Sequence, residues 1–206
     1  MLSYTNMHSK DGIAELKLIA VETIRDSLGD SEWEFIRTDQ DMDFPSLHAT
    51  IGCVRNGNPD IVMGFQAAPV SMGTMRELVS NMVAYLAWNK EFVSGDVDLI
   101  DYTTFLLQHR GYKDAAPLEA TDRIHFREID AQRWFAGQGW QHATYYTADE
   151  RKNARFLQFV MSDLNGLIPG EEGYSGIKQI MLSAEPFGKA DKVTTPVSAE
   201  RARYLN

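Results

Sequence analysis

Apolar positions along the chain fall into two rhythms, one of helices and one of strands. From Asp11 to Leu28 they recur at steps of three and four. Ile13, Leu16, Ile19, Ala20, Ile24 and Leu28 form one stripe, with Asp11 suited to cap the start and Gly29 the end. Glu32 to Thr38 alternates and predicts a short strand, followed by an acidic turn over Asp39 to Asp43. Ser46 to Val54 and Asp60 to Phe65 are rich in apolar and β-branched residues and predict two strands. Asn56-Gly57-Asn58-Pro59 between them supplies turn chemistry. Met75, Leu78, Val79, Met82, Val83 and Leu86 then return to helical spacing. Thr74 and Glu77 fit a capping box there, and Ser71 suits a slightly longer helix.

The second half is less regular. Asn89 to Asp101 reads as a polar connection, Tyr102 to Leu107 as a strand, and Gly111-Tyr112-Lys113 as a turn. Arg123 to Ile129 alternates and predicts a strand. Ala131, Trp134, Phe135 and Ala136 suit a helix that Gly137 and Gly139 weaken, and Trp140 to Thr147 fits a continued helix or a strand. Residues 149–155 are charged and read as exposed. Phe156 to Met161 predicts a strand, Ser162 to Gly166 a turn, and Gly173 to Leu182 a last strand. Strands arrive in adjacent pairs without strict helix alternation. That predicts an α+β fold, a mixed or mainly antiparallel sheet with helices packed on it. The expected layout is a flexible lead-in over 1–10, one domain over 11–184 and a surface tail over 185–206.

Composition narrows the function classes. Hydrophobic residues make up 44% and charged residues 24% of 206 residues, as in a globular protein. The net charge of −9 repels phosphate backbones and anionic lipid. Arg123, Arg127 and Arg133 lie beside Asp122, Glu128 and Asp130 and so build no basic patch in sequence. Nucleic acid and membrane are therefore not expected partners. No apolar run approaches the roughly 20 residues of a membrane span, and MLSYTNMHSKDG lacks a signal-peptide layout, so a cytoplasmic location is expected. The single cysteine, Cys53, reads as a core residue and precludes an internal disulfide. No phosphate-binding glycine loop occurs, and no cofactor is expected.

Three blocks carry a family resemblance. Thr50-Ile51-Gly52, Gly57-Asn58-Pro59-Asp60-Ile61 and Gly64-Phe65 match in order the elements TIGL, GHPEL and GL. The helix from Met72 to Trp88 follows. Gln158-Phe159-Val160-Met161-Ser162-Asp163-Leu164-Asn165-Gly166 is similar to QLVWPDxxG, with Pro169 and Gly173-Tyr174 beyond it. Over roughly residues 20 to 175 the chain resembles the domain-of-unknown-function family 4262 of bacteria and their phages. It departs at Asn58, where that family has His, at Met161-Ser162, where it has Trp-Pro, and at Gly170, where it has Trp. The resemblance implies a phage-associated or bacterial protein without an assigned activity, and its matching residues are mostly structural.

The candidate chemistry is of three kinds. His48-Ala49-Thr50 and His142-Ala143-Thr144 are paired His-x-Thr triplets. On facing strands each His would serve as general acid or base across a phosphodiester and each hydroxyl would hold a phosphate oxygen. The alternative is a hydrogen-bonded strand His and an unrelated second His. Asn58 and Asp163, with Trp134 and Trp140 from the densest aromatic cluster, are candidate ligand-binding residues. The competing reading is an Asx turn for Asp163 and core packing for the tryptophans. His125 with Asp122 or Glu128 has no metal-ligand spacing, so no metal site is expected. Two functions follow as expectations. One is a binding protein for a host protein or small ligand, using a cleft between the central turn and the Asp163 turn. The other is a two-histidine phosphodiesterase acting on a small nucleotide. The sequence leaves the oligomeric state open.

Overall fold

A computed structural model of the chain describes residues 10–38, 46–65, 71–115 and 122–182. The lead-in residues 1–9, the acidic turn, the break at Ala67-Ala68-Pro69 and the tail from 185 lie outside them. Six strands form one open mixed sheet: β1 (Glu34–Arg37), β2 (Ser46–Ile51), β3 (Asp60–Phe65), β4 (Gly95–Asp96), β5 (Ile124–Ile129) and β6 (Phe156–Met161). Their order is β1-β2-β3-β6-β5-β4. Every pair is antiparallel except β3 with β6, which run parallel with Asp60 opposite Phe156. Among the described residues six helices accompany the sheet: α1 (Lys10–Leu28), α2 (Met72–Trp88), α3 (Leu99–His109), α4 (Ala131–Ala136), α5 (Trp140–Tyr145) and α6 (Ala148–Asn153). The architecture is α+β, as the pairing of strands along the sequence predicts.

Side-chain alternation divides the apolar residues of the sheet between two cores. Ile61, Met63, Phe65, Phe126, Leu157 and Phe159 pack on one face against α2 and α3. Leu47, Ala49, Ile51, Val62 and Phe156 pack on the other, against Val21, Ile24 and Leu28 of α1 and against Trp134 and Tyr145 of α4 and α5. Ile19, expected in the α1 stripe, is exposed. No helix among the described residues is long and apolar enough to cross a membrane.

Four segments differ from the sequence expectation. Tyr102 to Leu107 is helix α3, not a strand. Its start is fixed by Asp98, whose carboxylate accepts from the Ile100 and Asp101 N–H groups. Val54 leaves β2, because Cys53–Asn56 winds into a 3-10 turn. Residues 148–153 form α6 behind a Thr147/Glu150 capping box. Gly173 to Leu182 is a loop, not a strand, with one β-bridge to the sheet, Gln179 opposite Phe65.

Glutamines hold that loop. Gln158, fully buried on β6, donates through Nε2 to the Ile180 carbonyl and accepts at Oε1 from the Leu182 N–H (2.9 Å). Gln179 accepts from the Met161 N–H (2.8 Å) and donates to the Met161 carbonyl (2.6 Å). Gln158→Leu keeps the volume but orphans two backbone groups, so it is expected to cost about 2–4 kcal/mol. Urea unfolding measures the loss, and amide exchange at Leu182 should accelerate.

Candidate functional site

The residues singled out from sequence converge on structure more than on an open site. His48 on β2 stacks on Phe35 (5.4 Å between ring centroids), on the α2 side of the sheet. His142 lies on α5, against Trp134, Tyr146 and Phe156 of the opposite core. Its Nε2–H donates to the Thr50 carbonyl at 2.8 Å. Burial pushes its pKa down to about 4 and keeps the imidazole neutral. Thr144 donates to the Trp140 carbonyl within its own helix. The two His-x-Thr triplets therefore do not face one another on strands, which is a correction: the second is helical and the sheet separates the histidines.

Thr50 belongs instead to a closed buried network. Its hydroxyl donates to Asp60 Oδ1 (2.9 Å) and accepts from the Ile61 N–H (2.8 Å). The Cys53 N–H also reaches Asp60 Oδ1 (3.3 Å). The Tyr146 hydroxyl donates to Asp60 Oδ2 (2.5 Å) and accepts from the Gly52 N–H (2.5 Å). Burial raises the Asp60 pKa from its ordinary 3.8 to about 7, against the pull of these donors. Burial likewise pushes the Tyr146 hydroxyl and the Cys53 thiol well up, so both stay protonated. Cys53 is thus a core residue, as its place in an apolar segment suggests, and lacks the thiolate a nucleophile needs.

The four expected ligand-binding residues are scattered. β3 and β6 run parallel, so Asn58 before β3 and Asp163 after β6 sit at opposite ends of the sheet. Six residues of strand separate the two levels, about 20 Å. The expected cleft between the two turns is not formed. Asp163 is an Asx-type anchor: Oδ1 accepts from the Asn165 and Leu167 N–H groups and Oδ2 from the Ser175 N–H and hydroxyl. The Ser175 N–H leads in holding its carboxyl below the usual range. Trp134 is buried against Gly139, whose position would admit no Cβ (2.4 Å from the indole), and Trp140 is half-buried. Both tryptophans are packing residues.

An open groove of about 630 Å³ lies elsewhere, along the β5 edge, lined by Ser94, Gly95, residues 125–131, Ala154 and Arg155. It exists because β4 is only two residues long and pairs only with His125 and Phe126, leaving the rest of β5 uncovered. Within it Arg155 pairs with Glu128 (2.9 Å) and donates to the Val93 carbonyl (3.0 Å). Asp130 is occupied as the cap of α4. The Arg127 side chain makes no hydrogen bond or ion pair among the described residues.

One wall of the groove carries His125, which is paired with a carboxylate. His125 Nδ1 lies 2.8 Å from Asp96 Oδ1, and Arg123 Nε donates to the same oxygen at 2.6 Å. The Arg123 hydrogen bond holds the Asp96 carboxyl below its usual range, so the oxygen is an acceptor and His125 carries its proton on Nδ1. Arg123 also meets both Glu171 oxygens (2.8 Å each), and Glu171 accepts from the Ile168 N–H. Arg123 thereby ties the loop anchored by Asp163 to Asp96. His125 Nε2 has no partner among the described residues. The acidic partner of His125 is Asp96, not Asp122 or Glu128. Among the described residues no group of three or more His, Cys, Asp or Glu side chains is placed to hold a metal ion.

Sequence reasoning found His125 only as a weak metal candidate and missed Asp96, because the β4–β5 register, not sequence spacing, brings them together. No family model, curated protein or solved structure matches this chain.

Proposed function

We propose that the protein binds a small molecule carrying a carboxylate or phosphate in the groove along β5. The observation that carries this reading is Arg127, a cation on the wall of an open cavity with no ion-pair partner among the described residues. Arg155 in the same groove is neutralised by Glu128, and the Asp130 carboxylate is turned to cap α4, so Arg127 is the cation left to meet an anion. The reading keeps the small-ligand expectation and moves its site from the central turn to the β5 side of β6.

Titration of ¹⁵N-labelled protein with inorganic phosphate, and separately with succinate, tests it. Saturable shifts are expected at residues 94–96, 125–131 and 154–155. Arg127→Ala should weaken binding by about 10- to 100-fold, the worth of one charge-assisted hydrogen bond. Shifts centred elsewhere, or an unchanged affinity in the variant, would overturn it.

A further inference from the structure

His125, paired with Asp96, lines the same groove as Arg127, and we propose that this pair makes the groove hydrolytic, with His125 as general base toward an anionic carboxylic ester. This rests on the groove being an anion site. Asp96, fixed by Arg123, accepts the Nδ1–H of His125 and so leaves the Nε2 lone pair as the acceptor. His125 and Arg127 are two apart on β5 and share a face. A substrate anion held by Arg127 therefore sets an ester carbonyl beside Nε2. The ladder supplies one further donor. The Ile124 carbonyl accepts from Val97 on the β4 side, and alternation in an antiparallel pair turns the Glu128 N–H to that same side, beyond the end of β4. There it is placed to donate to a developing oxyanion.

The step balances without a redox partner. Nε2 takes a proton from water as the water oxygen bonds the carbonyl carbon. The tetrahedral intermediate then collapses, the carbon–oxygen bond to the alcohol breaks with its electron pair on the alcohol oxygen, and that oxygen takes the proton from Nε2–H. Ester and water become carboxylic acid and alcohol. A carbonyl substrate fits better than a phosphoryl one, because phosphoryl transfer spreads charge over three oxygens and the groove offers one uncommitted cation.

The test compares hydrolysis of mono-p-nitrophenyl glutarate, which is anionic, with that of neutral p-nitrophenyl acetate. The full chain is expected to turn over the anionic ester preferentially and saturably. His125→Gln should lower kcat by at least about a hundredfold, the usual worth of a general base. Asp96 is a positioning residue: Asp96→Asn should lower kcat while leaving KM unchanged, whereas Arg127→Ala should raise KM. If His125→Gln does not fold, Asp96→Asn carries the test. Phosphate titration of each protein separates the two readings. Intact phosphate binding with no turnover above background, or with undiminished turnover in His125→Gln and Asp96→Asn, overturns the hydrolytic assignment and leaves the anion site standing. Absence of phosphate binding at the groove in the unaltered chain overturns both. Turnover of bis-p-nitrophenyl phosphate in place of the carboxylic ester overturns the carbonyl assignment.

Discussion

Asp60→Ala is expected to remove about 3–5 kcal/mol of folding stability, because it strands buried donors that no water reaches. Those donors are the Thr50 and Tyr146 hydroxyls and the Cys53 N–H, all closing on one carboxyl group. The Thr50 hydroxyl is able to rotate toward another acceptor, while the Cys53 N–H is fixed by the backbone. Against a total stability of about 5–15 kcal/mol, such a loss is a third or more for a typical domain. Urea unfolding at fixed pH measures it, and a loss under about 1 kcal/mol would show that the network is not what holds the 3-10 turn on β3.

The same carboxyl predicts a pH dependence with a definite sign. Its folded pKa of about 7 lies above the ordinary 3.8, so the folded state binds the proton more tightly than the unfolded chain. Its favourable contribution is complete below pH 3.8 and is lost as pH rises through 7. About three pKa units correspond to roughly 4 kcal/mol of order-of-magnitude effect. Asp60→Asn, which does not titrate, should flatten the stability profile over that window.

Gly52→Ala is the second large effect. Gly52 has φ 119° and ψ −27°, a backbone conformation that side-chain-bearing residues rarely adopt. A Cβ there would lie 2.5 Å from the Glu32 carbonyl oxygen and 3.0 Å from the Trp33 Cα. Both are backbone atoms, so no rotamer relieves the overlap. The N–H of the same residue donates to Tyr146, so a shift that relieves the clash also pulls on the Asp60 network. The expected cost is about 3 kcal/mol or more, strain and clash together. Gly52→Ala and Asp60→Ala should also be non-additive in a double-mutant cycle, since they act on one hydrogen-bonded unit. A stability within about 1 kcal/mol of the parent would show that the segment leading into β1 yields freely at this point.

Much of the fold is legible in the residues themselves. The hairpin from Ser46 to Phe65, helix α2 with its Ser71 cap, and strands β5 and β6 announce themselves by local periodicity. Helix α3 does not, because Tyr102, Thr103, Thr104 and Phe105 favour strands by propensity. Packing of Tyr102 and Phe105 on Tyr85 overrides that preference, and the Asp98 cap was the available signal. Helix α6 carried a Thr147-x-x-Glu150 box in plain view. The Asp163 turn was readable as an Asx turn because its partners Asn165 and Gly166 are adjacent. The groove was not readable. It depends on where a two-residue strand stops and on which carboxylate the register sets beside His125, and neither leaves a trace in local sequence. The paired His-x-Thr triplets show the converse hazard, since a motif has meaning only if both copies take the backbone it assumes.

The position of β6 in the sheet also constrains how the chain is made. Among the described residues β6 is the last strand to leave the ribosome, yet it lies between β3 and β5 near the middle of the sheet. Until Phe156–Met161 has emerged, the β1-β2-β3 meander and the β4–β5 pair are two fragments, each with an open edge where β6 belongs. Closing the sheet is therefore a late insertion of distant residues, the kind of non-local step that slows folding. During that interval the nascent chain presents the exposed strand edges on which intermolecular pairing begins.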